Sequence, residues 1–390
     1  MTQELLESRW GETKDALLEG LQGSRRNNMG IMLENTRRSL MEAVTAGSTA
    51  AGQIATLNRV ILPIIRRVMP TVIANEIVGV QPMTGPVAQI HTLRVRYADT
   101  VSAGTDGATA GDEALSPFRI ATAYSGNGAN PGKADSTSAL EGVPGNKINV
   151  QILKQVVEAK TRKLSARWTF EAAQDAQAMH GIDVEAEIMA ALAQEITVEI
   201  DQEILASLRS LSGTTYSFNQ ATVSGTATFV GDEHAALAVM INRAANLIAQ
   251  RTRRGAANWA VVSPEVLTVL QSATTSAFAR TTEGTFEAPT NTKFVGTLNG
   301  AMKIYVDSYA GTGTDVLIGY KGTSEADAAA FYCPYVPLMS SGVILDPQTF
   351  EPVVGFMTRY GYVELTNTAS SLGNAADYLE RIAVSGLTFS

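Results

Sequence analysis

Fifty residues in the middle of this chain cannot build a core of their own. Residues 98–147 hold eight glycines and the prolines 117, 131 and 144, and most of the rest are Ala, Ser, Thr, Asn or Asp. Only Val101, Leu115, Phe118, Ile120, Tyr124, Leu140 and Val143 are sizeable apolar residues. Ordering a backbone costs ~1–2 kcal/mol per residue, which so few apolar groups cannot offset. Such a segment is either disordered or an extended loop ordered against another subunit. Its flanks are strand-like. Leu93, Val95 and Tyr97 alternate with Arg94 and Arg96 before it, and Val150 to Ala159 follow it. The spacing predicts a projecting two-stranded ribbon.

The most legible element is helical. Phe170 to Met179 reads as a short helix that Gly181 can end in a left-handed cap. Asp183 can then cap a second helix, with Glu185 and Glu187 favourable in its first turns. From Val184 the apolar residues fall at 184, 188, 192, 196, 200, 204 and 208. A strict four-residue step overshoots the helical period by ~40° each time, so the stripe winds around a helix of ~27 residues and ~40 Å. A helix apolar on several sides needs several packing neighbours. Its acids Glu185, Glu187, Glu195, Glu199, Asp201 and Glu203 have no basic partner before Arg209. They are expected to meet basic residues from another segment or subunit rather than to act as acid and base.

Further on, Ala235 to Arg251 reads as a helix ending in Arg251, Arg253, Arg254 and Gly255, where positive charge suits the helix dipole. Trp259 to Val262 reads as a short buried strand, and Ser263-Pro264-Glu265 opens another helix. Met302 to Asp307 and Asp315 to Tyr320 read as strands, making residues 233–349 an α/β unit. Ile382 to Phe389 reads as a closing strand.

Residues 1–67 differ from the rest and read as an arm. Residues 1–23 carry two basic and five acidic residues, whereas 24–67 carry seven arginines against Glu34 and Glu42. Leu5, Leu6, Trp10, Leu17, Leu18 and Leu21 form one apolar stripe at helical spacing. That stripe has no partner within its own segment, so it is expected to dock elsewhere. Ala46 to Gly52 reads as a flexible joint.

Charge narrows the function. The chain of 390 residues carries 30 basic against 38 acidic side chains, a net −8, and only 17% of its residues are charged. So neutral a surface hints at extensive subunit contact, and the acidity argues against a dedicated nucleic-acid reader. The lone Cys333 excludes an internal disulfide framework and fits synthesis in a reducing compartment. No membrane segment or export signal is expected, because Arg66, Arg67 and Glu76 interrupt the most apolar stretch, Val60 to Val80.

No catalytic pattern declares itself. Gly128 to Ala134 has three residues between its glycines instead of the four of a phosphate loop, and Ala134 stands where the metal-binding hydroxyl belongs. There is no Gly-x-Ser-x-Gly and no His-Glu-x-x-His, and His91, His180 and His234 lie in different predicted elements. Cys333 reads as a packed small residue. No cofactor or metal is expected.

Several peptides stand in a fixed order: Gly79-Val80-Gln81-Pro82-Met83, then Val157-Glu158-Ala159-Lys160, Ala172-Ala173-Gln174-Asp175 and His180-Gly181-Ile182-Asp183. Gly319-Tyr320-Lys321-Gly322, Tyr332-Cys333-Pro334-Tyr335-Val336 and Pro352 to Gly361 follow. Together they resemble the major capsid proteins of T-even-like tailed bacteriophages. The resemblance covers roughly residues 60–362 and fades from Leu365 to Ser390.

The resemblance implies an α+β tailed-phage major capsid fold. Its parts would be an N-terminal arm (1–67), an E-loop (93–153), a P domain with the long spine helix (68–92, 154–232 and 350–390) and an A domain (233–349). The large domain that many relatives carry between the ribbon flanks is missing. The implied function is self-assembly into hexamers, with pentamers where the same chain fills them, of an icosahedral head around double-stranded DNA. The implied partners are further copies, scaffolding and portal proteins, decoration proteins and, nonspecifically, the packaged DNA, with no membrane. The implied location is the virion, after assembly in the bacterial host cytoplasm. Candidate intersubunit contacts are Arg66, Arg67, Arg94, Arg96, Glu185 and Glu199. Candidate inner-face DNA contacts are Arg25, Arg26, Arg37 and Arg38. Leu5-Leu6-Glu7, Leu17-Leu18-Glu19 and Leu40-Met41-Glu42 fit the family's processing pattern, but three letters recur by chance and the arm is expected to be retained. The competing readings are an encapsulin-like protein-cargo shell and an α/β enzyme with a mobile loop.

Overall fold

The structure is a computed structural model. It describes residues 10, 14–15, 18, 21–23, 26–35, 73–102, 107–111, 114, 124–125, 132–134, 136–142, 145–180, 183–220, 230–252, 254–272, 278–280, 293–310, 315–323, 327–346, 348–349, 351–365 and 375–387. The described helices are α1 (26–35), α2 (Ala74–Ile77), α3 (Thr137–Leu140), α4 (Phe170–His180), α5 (Val184–Leu211), α6 (Val230–Thr252) and α7 (Pro264–Ser272). The described strands are β1 (Gly79–Val80), β2 (Val87–Tyr97), β3 (Ile148–Glu158), β4 (Lys160–Arg167), β5 (Gly213–Asn219), β6 (Trp259–Val262) and β7 (Phe278–Arg280). They continue with β8 (Lys293–Leu298), β9 (Met302–Val306), β10 (Val316–Gly319), β11 (Ala330–Leu345), β12 (Pro352–Glu364) and β13 (Leu379–Ser385). Helices and mixed sheets make the class α+β. Among the described residues no helix is long and apolar enough to cross a membrane.

The chain divides into two compact units. The first comprises Met1–Ala88, Val157–Ala206 and Phe331–Val363. Its sheet has the order β1-β11-β12-β4, with β1 parallel to β11 and β12 antiparallel to β4. Val354, Phe356, Thr358 and Tyr360 are buried at alternate positions of β12, the period a half-buried strand requires. Most of α5 belongs here. Asp183 Oδ1 accepts the backbone N–H of Glu185 at 3.1 Å, as the sequence predicts for an N-cap. The winding stripe is buried at Leu192, Ile196, Ile200 and Ile204. Asp201, fully buried in the same helix, accepts the backbone N–H of Ile73 at 2.9 Å and so fixes where the chain enters α2. Where β12 meets the start of this unit's second segment, a Cβ on Gly361 would lie 2.4 Å from Val157 Cγ1, so only glycine fits.

The second unit comprises Gln89–Val156, Ser207–Ala330 and Glu364–Ser390. Its sheet has the order β5-β13-β10-β6-β9-β8-β7. Leu237, Ile241 and Ile248 of α6 and Val266 and Val269 of α7 join Ala260, Val262, Ile304, Val316, Ile318 and Ile382 in one apolar core. All four residues of β6 are buried, as the apolar run predicts.

The sequence reading groups 331–349 with 233–330, and 364–390 with 350–363. The compact units divide both the other way. Ala330–Leu345 sits between β1 and β12 in the first sheet, while Leu379–Ser385 sits between β5 and β10 in the second. Backbone pairing, which hydropathy along one strand does not encode, decides both cases.

The ribbon is present: β2 and β3 form a two-stranded sheet. Ala108, Ala114 and Tyr124 of the described part of 98–147 form a small core with Tyr97 at the end of β2. The two tyrosine rings lie 4.3 Å apart, Asp99 N–H donates to Tyr124 Oη at 3.2 Å, and Tyr124 Oη in turn donates to the Lys147 carbonyl. A count of large side chains alone underestimates this segment, because alanines packed beneath tyrosines bury area too.

Candidate intersubunit surfaces

Strand β3 carries an apolar row with no cover. Period-two geometry puts residues 148, 150, 152 and 156 on one face of a strand. In β3 the apolar residues of that face are Ile148, Val150, Ile152 and Val156, exposed by 51, 64, 68 and 51%, with the exposed Lys154 between the last two. Burying a side chain of this kind is worth about 1.5–3 kcal/mol, which the single chain does not gain here. The row is an exposed apolar face on the two-stranded ribbon.

A second apolar surface lies in the first unit. Phe170 and Met179 of α4, and Val343, Ile344 and Leu345 near the end of β11, are all exposed large apolar side chains. Phe170, Val343 and Leu345 line a groove of about 280 Å³ together with Trp168, Val184 and Pro352, and Asp183 and Glu185 also line it.

The acids of α5 are partly answered within the chain. Arg162 of β4 bonds to Glu199 and Glu203, one helical turn apart, and its Nε donates to Tyr360 Oη at 3.2 Å. Tyr360 Oη donates to Glu203. Burial alone would lower the Arg162 pKa, but the hydrogen bonds to Glu199 and Tyr360 and the charge on Glu203 outweigh it and raise it. Burial, then the bond to Glu203, pushes the Tyr360 phenol up to about 12. A guanidinium that never loses its proton and a phenol held protonated cannot relay one at neutral pH. The cluster ties helix to sheet. Burial likewise pushes the Cys333 thiol up to about 12, which makes it inert as a nucleophile. Among the described residues no group of three His, Cys, Asp or Glu side chains could hold a metal.

In the second unit two arginines reach fully buried carboxylates. Arg209 donates to Asp307 at 3.0 Å, and Arg251 donates to Glu380 at 2.8 Å. The first pair holds the last turn of α5, which lies in this unit, to the residue after β9, and the second holds α6 to β13.

The family model described as Major capsid protein Gp23 matches residues 54–384. The chain belongs to the Gp23 major capsid protein family. The major capsid protein of Vibrio phage KVP40 is 30% identical to it, over 88% of this chain and 85% of that protein. The major capsid protein of Enterobacteria phage T4 is 30% identical, over 82% of this chain and 77% of that protein. Among solved structures, the capsid of cyanophage P-SCSP1u aligns with a TM-score of 0.46 at 12% identity, covering 81% of this chain and 89% of that one. The relatives are structural capsid proteins rather than enzymes, and membership places the protein in the virion capsid.

The structure describes only some of the residues predicted to make contacts in this capsid protein. Glu185 is exposed in the first turn of α5. Glu199 is half-buried and held by Arg162 of its own chain. Arg96 is half-buried in β2. Arg94 lies in the same strand, its side chain outside the described residues, as are Arg66, Arg67, Arg25, Arg37 and Arg38 altogether. Arg26 is exposed on α1. Sequence reasoning missed Arg162 and Tyr360. The alternation in Lys160–Arg167 signals the first, since it puts Arg162 on one face with Leu164 and Ala166.

Proposed function

We propose that the capsid protein assembles into hexameric capsomers, and the pentamers of the same lattice, of an icosahedral head that encloses double-stranded DNA. The observation that carries this is the apolar row on β3, which gains its burial energy only against another copy. The ribbon serves as the E-loop and lies over a neighbour. The first compact unit corresponds in the main to the P domain with its spine helix, and the seven-stranded unit to the A domain. Residues 1–67 serve as the arm, and Arg26, with Arg25, Arg37 and Arg38, meets packaged DNA nonspecifically. Scaffolding and portal proteins take part in assembly inside the host cytoplasm, and decoration proteins bind the finished shell.

The contents of the particle test this reading against a protein-cargo shell. Purified particles are treated with nuclease, opened and assayed. Protected double-stranded DNA is expected. Protected cargo protein with no DNA would contradict the proposal.

A further inference from the structure

One cation interrupts the apolar row of β3. Ala98 donates its backbone N–H to the Lys147 carbonyl, and Ala159 donates to the Pro86 carbonyl, both at 2.9 Å. These contacts, at the two ends of the ribbon, fit a single antiparallel register. It sets His91 of β2 directly opposite Lys154 of β3 in a non-hydrogen-bonded pair, where Cα atoms lie about 4.5 Å apart. Opposite residues share a face, so His91 and Lys154 stand side by side in the row, both exposed. Glu158, the acid that ends β3, lies about 13 Å farther along the strand, too far to neutralise Lys154. Both side chains offer N–H donors. A surface that covers the row is therefore apolar with a carboxylate at one point, because a desolvated ammonium needs an acceptor.

The first unit offers such a surface. In the groove that Phe170, Val343 and Leu345 line, Asp183 and Glu185 stand among the apolar side chains. Asp183 Oδ1 is engaged as the cap of α5, by the amides of Glu185 at 3.1 Å and Ala186 at 3.4 Å. Glu185 is exposed, and among the described residues nothing pairs with its carboxylate or with the Lys154 ammonium. Charge separates this groove from another in the same unit. That one, of about 420 Å³, is lined by Lys163 with Met339, Phe356 and Met357 and by no carboxylate among the described residues, so it would set Lys163 against Lys154.

We propose that the ribbon of one copy seats in the Asp183–Glu185 groove of a second copy, with Val150, Ile152 and Val156 against its apolar wall and the Lys154 ammonium donating to the Glu185 carboxylate. The inference rests on the reading of the ribbon as an intersubunit element and adds the surface that receives it. The apolar row supplies the burial, and the charge pair selects the groove and fixes the register. A slide of two residues along β3 keeps the same face but sets an apolar side chain opposite Glu185. His91 supplies a second donor beside the ammonium.

The test is charge reversal in the full chain, scored by the yield of sedimenting shells formed with a scaffolding protein present. Lys154→Glu and Glu185→Lys are each expected to lower the yield at least tenfold, and the double variant K154E/E185K to recover it to within threefold of the parent. Thermal unfolding of the unassembled chains checks that every variant is folded. A single variant that assembles like the parent, or a double variant no better than the worse single one, would overturn the seating. Parent shells supply a measurement that needs no variant. Assembled from equal parts of isotope-labelled and unlabelled chains and treated with a carbodiimide, they should yield a mixed-isotope amide crosslink between Lys154 and Glu185. Its absence, with other lysine–carboxylate crosslinks present, would likewise overturn the seating. Parent chains that form no shells would count against the capsid reading itself, whereas parent shells indifferent to both reversals contradict the seating alone.

Discussion

Replacing Arg251 with alanine is expected to lower the unfolding free energy by about 3–5 kcal/mol, the usual cost of removing one partner of a buried ion pair. Glu380 is fully buried in β13, and Arg251 in the last turn of α6 reaches it at 2.8 Å. The substitution leaves the carboxylate without that cation, where its charge cannot be solvated by bulk water. Arg243 supplies the control. It is exposed on the same helix, its guanidinium 4.8 Å from the centre of the Tyr216 ring. Arg243→Ala removes a cation–π contact of only about 0.5–1 kcal/mol. Urea denaturation of the three proteins measures the contrast, and equal losses for the two variants would show that the buried pair carries no special weight.

The second large effect concerns assembly and not stability. The double variant V150D/I152D puts two charges into the apolar row of β3. Both side chains are more than 60% exposed in the single chain, so thermal unfolding of the unassembled protein is expected to shift by no more than about 1–2 °C, within the range of ordinary surface substitutions. Across an interface the same two charges have to be desolvated, a cost of several kcal/mol per ion in each of many contacts. Closed shells and hexamers are expected to vanish from micrographs of the variant. Normal shells would show that the row is not a contact.

How much of this was legible in the sequence depended on the range of the interaction involved. The long helix was read nearly to its ends, because its cap and its period are local: Asp183 bonds to residues two and three positions on, and the buried positions recur every four residues. The ribbon flanks were legible for the same reason. The partners of the helix's acids were not, since Arg162 stands 37 and 41 residues from Glu199 and Glu203, and only strand pairing brings it there. The placement of β11 and β13 in the two sheets was equally hidden, because pairing between distant segments decides it. The arm's apolar stripe announced that it needed a partner but could not name one. Of that stripe only Trp10, Leu18 and Leu21 lie among the described residues, with Leu18 buried and Trp10 Nε1 donating to Glu34 of α1 at 3.2 Å. Contact residues are the hardest to read from charge alone, because a surface charge has many possible partners and its sequence neighbours do not choose among them.

Assembly itself is the central claim. Negative-stain electron microscopy with light scattering, on the purified chain with and without a scaffolding protein, tests it most directly. Hexameric sheets, tubes or closed shells are the expected result. A stable, monodisperse monomer under both conditions would contradict the account.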